Sequence, residues 1–135
     1  MITTISIAGK EYPMSFSVMA AKKIAAEYGS IEKILNKVQA EEGVTEEALE
    51  TIIYILELLI AQGCAYKNYF EKDVPPPKNA PIVDGKWAPL PREALEIAAE
   101  IADLEEFAQK IEECMNKGKK KTIGADSKNA KAGRE

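Results

Sequence analysis

The sequence predicts an α+β fold that is mainly α-helical: an N-terminal β-hairpin, about four helices after it, and a disordered basic C-terminal tail. Two changes of pattern along the 135 residues predict this order. Apolar residues alternate with polar ones up to Phe16, the period of a half-buried strand, and from Ser17 they recur at helical spacing. After Gly118 large apolar side chains nearly disappear, which is typical of disordered segments. We therefore expect one domain over residues 1–117 and a tail over residues 118–135.

The first predicted element is the hairpin, over residues 2–16. Ile5 and Ile7 alternate with small or polar neighbours, and residues 9–11 supply the turn, where a glycine can adopt positive φ. Pro13 lacks a backbone N–H, so its strand is predicted to lie at an edge or to be irregular there. An isolated hairpin is only marginally stable in water, so this one must pack on the helices or pair with another chain.

Two short amphipathic helices are predicted next, over residues 17–28 and 30–39. Ser17 is a typical N-cap for the first of them, because its side-chain oxygen can accept a hydrogen bond from a backbone N–H of the first turn. Gly29 is predicted to end that helix, and Ser30 can cap the next.

A third helix, over residues 45–70, is predicted to form the centre of the fold. Its apolar residues occupy most of its circumference, and such a helix is buried on most sides. Leu56 should be fully buried at its middle, and Gly63 either permits close packing or marks a kink. The most hydrophobic run, residues 51–66, contains polar residues and is shorter than the ~20 residues that a membrane span needs. The sequence therefore predicts a buried helix rather than a membrane anchor.

The segment over residues 71–91 is predicted to be irregular, with a run of three prolines and a miniature hairpin that turns at Asp84-Gly85. Trp87 has two interpretations, an anchor for a partner or a cap over the core. A fourth helix is predicted over residues 92–117, and its apolar residues recur at steps of three and four, a seam that could pack on the third helix or on another subunit. The seam consists of Ile97, Ile101, Leu104, Ala108, Ile111 and Met115.

No recognisable catalytic apparatus is present in the sequence. It has no histidine, which removes the commonest general base and most catalytic zinc sites, and no glycine-rich phosphate loop. Adjacent glutamates on a helix of ~3.6 residues per turn point about 100° apart, so they form a solvated face rather than a two-carboxylate site. Cys64 and Cys114 lack metal-binding spacing and are expected to be buried, reduced thiols. We therefore predict no enzyme activity, no metal site and no cofactor.

Charge is unevenly distributed along the chain. The net charge is −4, and the segment after Asn116 has seven basic residues against two acidic ones, so this tail carries +5 and the body −9. An acidic body argues against nucleic-acid binding by the whole molecule. The tail could contact phosphate, but no aromatic residues stand between its lysines for base stacking. The opening residues lack the basic and apolar regions of a secretory signal, so a cytoplasmic location is expected.

The opening residues also resemble a known family. The pattern I-x-I-x-G-K-x-Y is followed by M-x-F, and then by a helix that ends in A-x-x-Y-G-S-I-x-x-I. This pattern, clearest over residues 2–35, resembles the tail assembly chaperones of long-tailed bacteriophages and prophages of Gram-positive hosts. The matching residues are Ile5, Ile7, Gly9, Lys10, Tyr12, Met14, Phe16, Tyr28, Gly29, Ser30 and Ile31.

The resemblance implies a function in virion assembly. Chaperones of this family are small, acidic, helical proteins that bind the tape-measure protein, the long hydrophobic ruler of the tail. They keep it soluble in the bacterial cytoplasm until tail-tube subunits polymerise around it, and they are absent from the finished particle. The resemblance therefore implies a tape-measure protein as the partner. A homo-oligomer is the second possible association, if the chain binds copies of itself.

Partner contact is expected on two surfaces, because hairpin edges can add strands and helical seams can accept apolar helices. The residues predicted for this contact are Tyr12, Met14 and Phe16 on the hairpin and Ile101, Leu104 and Ile111 on the seam. A second class of function stays open at this point. In it the chain is a bacterial or prophage regulatory module whose basic tail contacts nucleic acid.

Overall fold

The computed structural model describes residues 2–30 and 45–127, with side chains described as far as Lys117. The described residues confirm the predicted fold class, an N-terminal hairpin in a mainly helical chain. The predicted helix over residues 30–39 lies almost wholly outside them. In chain order the elements are β1 (Thr3–Ile7), β2 (Lys10–Met14), α1 (Val18–Tyr28), α2 (Glu46–Phe70), β3 (Ile82–Val83), β4 (Lys86–Trp87), α3 (Arg92–Ala98), a 3-10 turn (Ile101–Asp103) and α4 (Leu104–Ser127).

The N-terminal hairpin turns one residue earlier than predicted. Ile7 pairs with Lys10, so Lys10 already belongs to β2 and the turn consists of Ala8 and Gly9. Both have positive φ, 51° and 83°. Two-residue hairpins favour such turns because their twist matches that of the strands. Side chains of β1 alternate between buried and exposed as expected.

β2 lies directly across α2, which explains why its last three residues, Tyr12 to Met14, are all buried. A Cβ atom at Gly63 of α2 would lie 2.2 Å from the carbonyl oxygen of Pro13. No side chain fits at that distance. Of the two roles predicted for Gly63, the structure therefore confirms close packing.

Helix α2 is the centre of the core, as predicted. Thr45 caps it by accepting a hydrogen bond from the backbone N–H of Ala48 at 3.1 Å, and Leu56 is fully buried. Helix α2 is long and apolar enough to cross a membrane, but core helices of soluble proteins meet the same two criteria. Half of its most apolar window is buried inside this fold. The largest fully buried side chains of this helix are Ile55, Leu56, Leu59 and Ile60.

The predicted fourth helix is wrong as a continuous element. The structure divides it into α3, the 3-10 turn and α4, with extended backbone at Ala99 and Glu100. Leu95 and Ile111 are both fully buried. On one straight helix of ~3.6 residues per turn they would point about 160° apart, so the break turns both toward the same core. The end predicted at Gly118 is also wrong, because α4 continues to Ser127.

Candidate functional site

The six residues predicted for partner contact do not form one surface. Tyr12, Met14 and Ile111 are buried in the hydrophobic core, where the fold itself uses their side chains. Phe16 and Leu104 are partly buried and pack against that core. Ile101 is different, since 62% of its surface is exposed. The predicted seam is broken at the 3-10 turn, which separates Ile101 from the buried positions of α4.

The outer edge of β2 is occupied by the chain itself. In this register the N–H groups of residues 11, 13 and 15 point away from β1. Glu11 donates to the carbonyl oxygen of Asn79 at 3.0 Å, and Ser15 donates to that of Leu59 at 3.0 Å. Pro13 has no N–H to donate. None of these three residues therefore has a free backbone N–H for a strand added along this edge. Strand addition was one of the two contact modes predicted from the sequence.

Among the described residues, three exposed aromatic side chains lie close together at the C-terminal end of α2. Tyr66, Tyr69 and Phe70 are 41%, 75% and 73% exposed. The ring centroids of Tyr66 and Phe70 are 5.2 Å apart, and those of Tyr69 and Phe70 are 6.1 Å apart. We call the surface formed by Tyr66, Tyr69 and Phe70 the aromatic surface. Met19 of α1, which is 56% exposed, lies near it.

The link between Met19 and the aromatic rings is Gln62, one helical turn before Tyr66. The amide nitrogen of Gln62 lies 3.5 Å from the sulfur of Met19, and its amide oxygen accepts a hydrogen bond from Ser17 at 2.5 Å. These contacts fix the start of α1 against α2. The aromatic surface is therefore held by two packed helices rather than by a loose segment.

A second exposed apolar region lies near the opposite end of α2, in a cleft of about 280 Å³. Its floor and walls contain Leu49 and Ile53 of α2, and Ile101 and Leu104 from the break between α3 and α4. Four glutamates line its rim, and we call it the acidic cleft. They are Glu46, Glu50, Glu96 and Glu100.

A third concave region, of about 860 Å³, lies between the end of α2 and the small β3–β4 hairpin. Trp87 belongs to its lining, but the residue is half-buried and packs on the core. The Asn68 side chain accepts a hydrogen bond from the Trp87 N–H and donates one to its carbonyl oxygen, both at 3.0 Å. The Lys67 ammonium lies 5.4 Å from the ring centroid. These contacts favour the interpretation in which Trp87 covers the core, rather than the one in which it anchors a partner.

The described residues contain no cluster of three or more potential metal ligands. Cys64 and Cys114 are free and buried, and burial raises the pKa of each thiol to about 12. Because the thiolate is the reactive form, neither cysteine in this fold is a nucleophile near neutral pH.

Comparisons with known proteins add no relative: no family model matches this chain, and no curated protein or solved structure is significantly similar to it. Sequence reasoning placed Tyr66, Tyr69 and Phe70 in a helix buried on most sides and so missed them as contact residues. One signal was available, since three aromatic residues stand in the last two turns before a proline-rich segment.

Proposed function

We propose that this protein is a tail assembly chaperone of a long-tailed bacteriophage or prophage of a Gram-positive host. In this proposal it binds the tape-measure protein in the bacterial cytoplasm, keeps it soluble until the tail tube polymerises, and is not retained in the virion. The observation that carries the proposal is the aromatic surface, taken together with the resemblance of residues 2–35 to that family.

The aromatic surface has the properties that a chaperone for a hydrophobic partner needs. Contiguous exposed apolar side chains on a small soluble protein commonly mark interaction sites. Tyrosine and phenylalanine bring large contact areas with few rotatable bonds, so less side-chain entropy is lost on binding. The surface is also flanked by charge, because Lys67 in the last turn of α2 forms an ion pair at 2.9 Å with Glu71, the residue that follows the helix. Such charges help to keep a complex with an apolar partner dissolved.

The proposal assigns the main contact to residues other than those first predicted. Tyr12, Met14 and Ile111 stabilise the domain from inside. Tyr69 and Phe70 contribute little to the core and leave most of their surface in water. Residues that bury little surface within their own fold have the most apolar area to bury against a partner.

Co-expression with the tape-measure protein tests the proposal. A chaperone gene of this kind is expected directly before a very long tape-measure gene. We expect the tape-measure protein to be soluble and to co-purify with the parent chain, and to precipitate when expressed alone. Solubility is measured as the fraction of tape-measure protein left in the supernatant after centrifugation.

Two matched variants locate the contact. Tyr69→Ser with Phe70→Ser removes the most exposed aromatics and should reduce the soluble fraction. Val83→Ser with Ile97→Ser removes two other exposed apolar side chains, 58% and 76% exposed, and should have little effect. Equal rescue by the parent and by both variants would overturn the assignment to the aromatic surface. Equal solubility with and without any form of the chain would overturn the function itself.

A further inference from the structure

The acidic cleft has an apolar interior that the described residues, 2–30 and 45–127, leave open. Ile53 is nearly buried at its floor, while Ile101 at its wall remains 62% exposed. The 3-10 turn places Ile101 here, because the chain leaves α3 at Ala98 and starts again at a different angle. A volume of about 280 Å³ is at or below the ~300–1,000 Å³ of ordinary small-molecule pockets. It suits a few apolar side chains of a polypeptide.

Negative charge surrounds this apolar interior. The four rim glutamates are all exposed. Arg92 lies near one of them, with its Nη1 atom 3.8 Å from Glu50, but its Nε atom is nearer to Glu57, at 3.4 Å. Within the described part of the chain, no cation lies within ion-pair distance of Glu46, Glu96 or Glu100. The rim therefore has an excess of negative charge.

We propose that the acidic cleft binds an amphipathic helix of another polypeptide, in which lysine or arginine residues flank the apolar side chains. The apolar side chains would enter between Ile53 and Ile101, as in helix-in-groove recognition. The aliphatic stems of the basic residues would cover the wall while their charged ends meet the rim carboxylates. Charge complementarity of this kind raises association rates and excludes partners of the wrong sign.

Charge and composition make two other occupants less suitable. A second copy would bring a body with a net charge of −9 over residues 1–116 toward a negative rim. The chain's own basic tail has suitable charge, but Ile123 is the one large apolar residue after Gly118. A single apolar residue cannot supply the repeated apolar positions of an amphipathic helix.

This inference holds whether or not the partner is a tape-measure protein, and its test uses a synthetic probe. The probe is a fluorescent amphipathic peptide of leucine and lysine, with leucine at helical spacing, and its matched control has glutamate in place of lysine. Binding to the full-length chain is followed by fluorescence anisotropy. We expect the leucine–lysine peptide to bind more tightly by at least about tenfold, equivalent to ~1.4 kcal/mol. Its affinity should fall as salt is added, since salt screens exposed charges.

Charge-reversal variants distinguish peptide binding in the cleft from a general attraction of a basic peptide to an acidic protein. Glu46→Lys with Glu96→Lys changes the rim, and Glu105→Lys with Glu106→Lys makes the same change of charge on α4, outside the cleft. Glu46 lies in the first turn of α2, and Glu105 and Glu106 both lie in the first turn of α4, so the control pair disturbs a helix dipole at least as much as the cleft pair does. The first pair should weaken peptide binding about tenfold more than the second. Equal weakening by both pairs would overturn the proposal.

An apolar pair of variants keeps the test decisive if charge reversal disturbs the fold. Ile101→Ser should weaken binding, whereas Ile97→Ser should not, because Ile97 is 76% exposed and does not line the cleft. Equal affinities of these two variants would overturn the proposal. So would tighter peptide binding after Lys119→Gln, Lys120→Gln and Lys121→Gln, which would identify the tail as the occupant. If the parent chain were a dimer and Ile101→Ser converted it to a monomer, the occupant of the cleft would be a second copy of the chain. That result would also overturn the proposal.

Discussion

The middle of α2 and its last two turns differ sharply although they belong to one continuous apolar helix. Leu56 and Leu59 are fully buried, whereas Tyr69 and Phe70 leave about three quarters of their surface exposed. Both regions are rich in large apolar residues. The difference shows that composition alone does not decide which part of a helix becomes core and which part becomes a binding surface.

The covering elements explain this difference. At the middle of α2 the hairpin lies so close that Ser15 donates a hydrogen bond to the Leu59 carbonyl oxygen, and Gly63 contacts Pro13 directly. Beyond that crossing, the β3–β4 hairpin covers one side of α2 through Asn68. The opposite side, with Tyr66 and Phe70, has no comparable cover among the described residues. The aromatic surface therefore begins where the N-terminal hairpin ends its contact with α2.

The largest effect is expected from Leu56→Ala in the buried half of α2. Removing a fully buried leucine side chain leaves a cavity, so the free energy of unfolding should fall by ~2–5 kcal/mol. Urea unfolding followed by circular dichroism measures it. Leu58→Ala, at a partly buried position two residues away, should cost less. Equal losses of unfolding free energy in the two variants would contradict the difference in burial between Leu56 and Leu58.

A somewhat smaller effect is expected from Gly63→Ala. In an open helix this change would stabilise by ~0.5–1 kcal/mol, because alanine loses less entropy than glycine. Here the added Cβ atom would meet the Pro13 carbonyl oxygen at 2.2 Å, so we expect a net loss on the order of 1–3 kcal/mol, typical of overpacked cores. Thermal unfolding gives the sign directly. A stabilised variant would show that the hairpin and α2 are further apart than described.

An intermediate effect is expected from raising the pH. The buried thiols of Cys64 and Cys114 have a pKa near 12 in the folded chain, compared with 9.0 ordinarily. Above about pH 9 the unfolded chain loses these protons first, so it binds fewer protons than the folded chain and stability falls as the pH rises. Unfolding midpoints measured from pH 8 to pH 11 should decrease. The decrease should be shallower in a Cys64→Ala and Cys114→Ala variant, and equal slopes would contradict burial of the thiols.

The smallest effect on stability is expected in the exposed half of α2. Tyr69→Ser with Phe70→Ser should change the free energy of unfolding by only about 0.5 kcal/mol, as is usual for surface substitutions. Urea unfolding of this variant should therefore nearly match that of the parent, even though the proposed binding to a tape-measure protein is expected to be reduced. A loss as large as that of Leu56→Ala would mean that these aromatics belong to the core.

Sequence alone determined the local features of this protein. The change from alternating to helical periodicity placed the end of the hairpin, and Ser17 caps α1 as predicted, by accepting from the Ala20 N–H at 3.0 Å. The predicted turn at Asp84-Gly85 is also present, with positive φ at both residues. These features depend on neighbours a few residues apart, and so the sequence displays them directly.

Tertiary structure alone decided the break after Ala98, the burial of Tyr12 and Met14, and the exposure of Tyr69 and Phe70. It also joined the two halves of the acidic cleft, which are about fifty residues apart in the chain. Each of these features depends on which element covers another. Apolar periodicity predicts that a helix face will be buried, but it does not predict whether the residues that bury it belong to the same chain or to a partner.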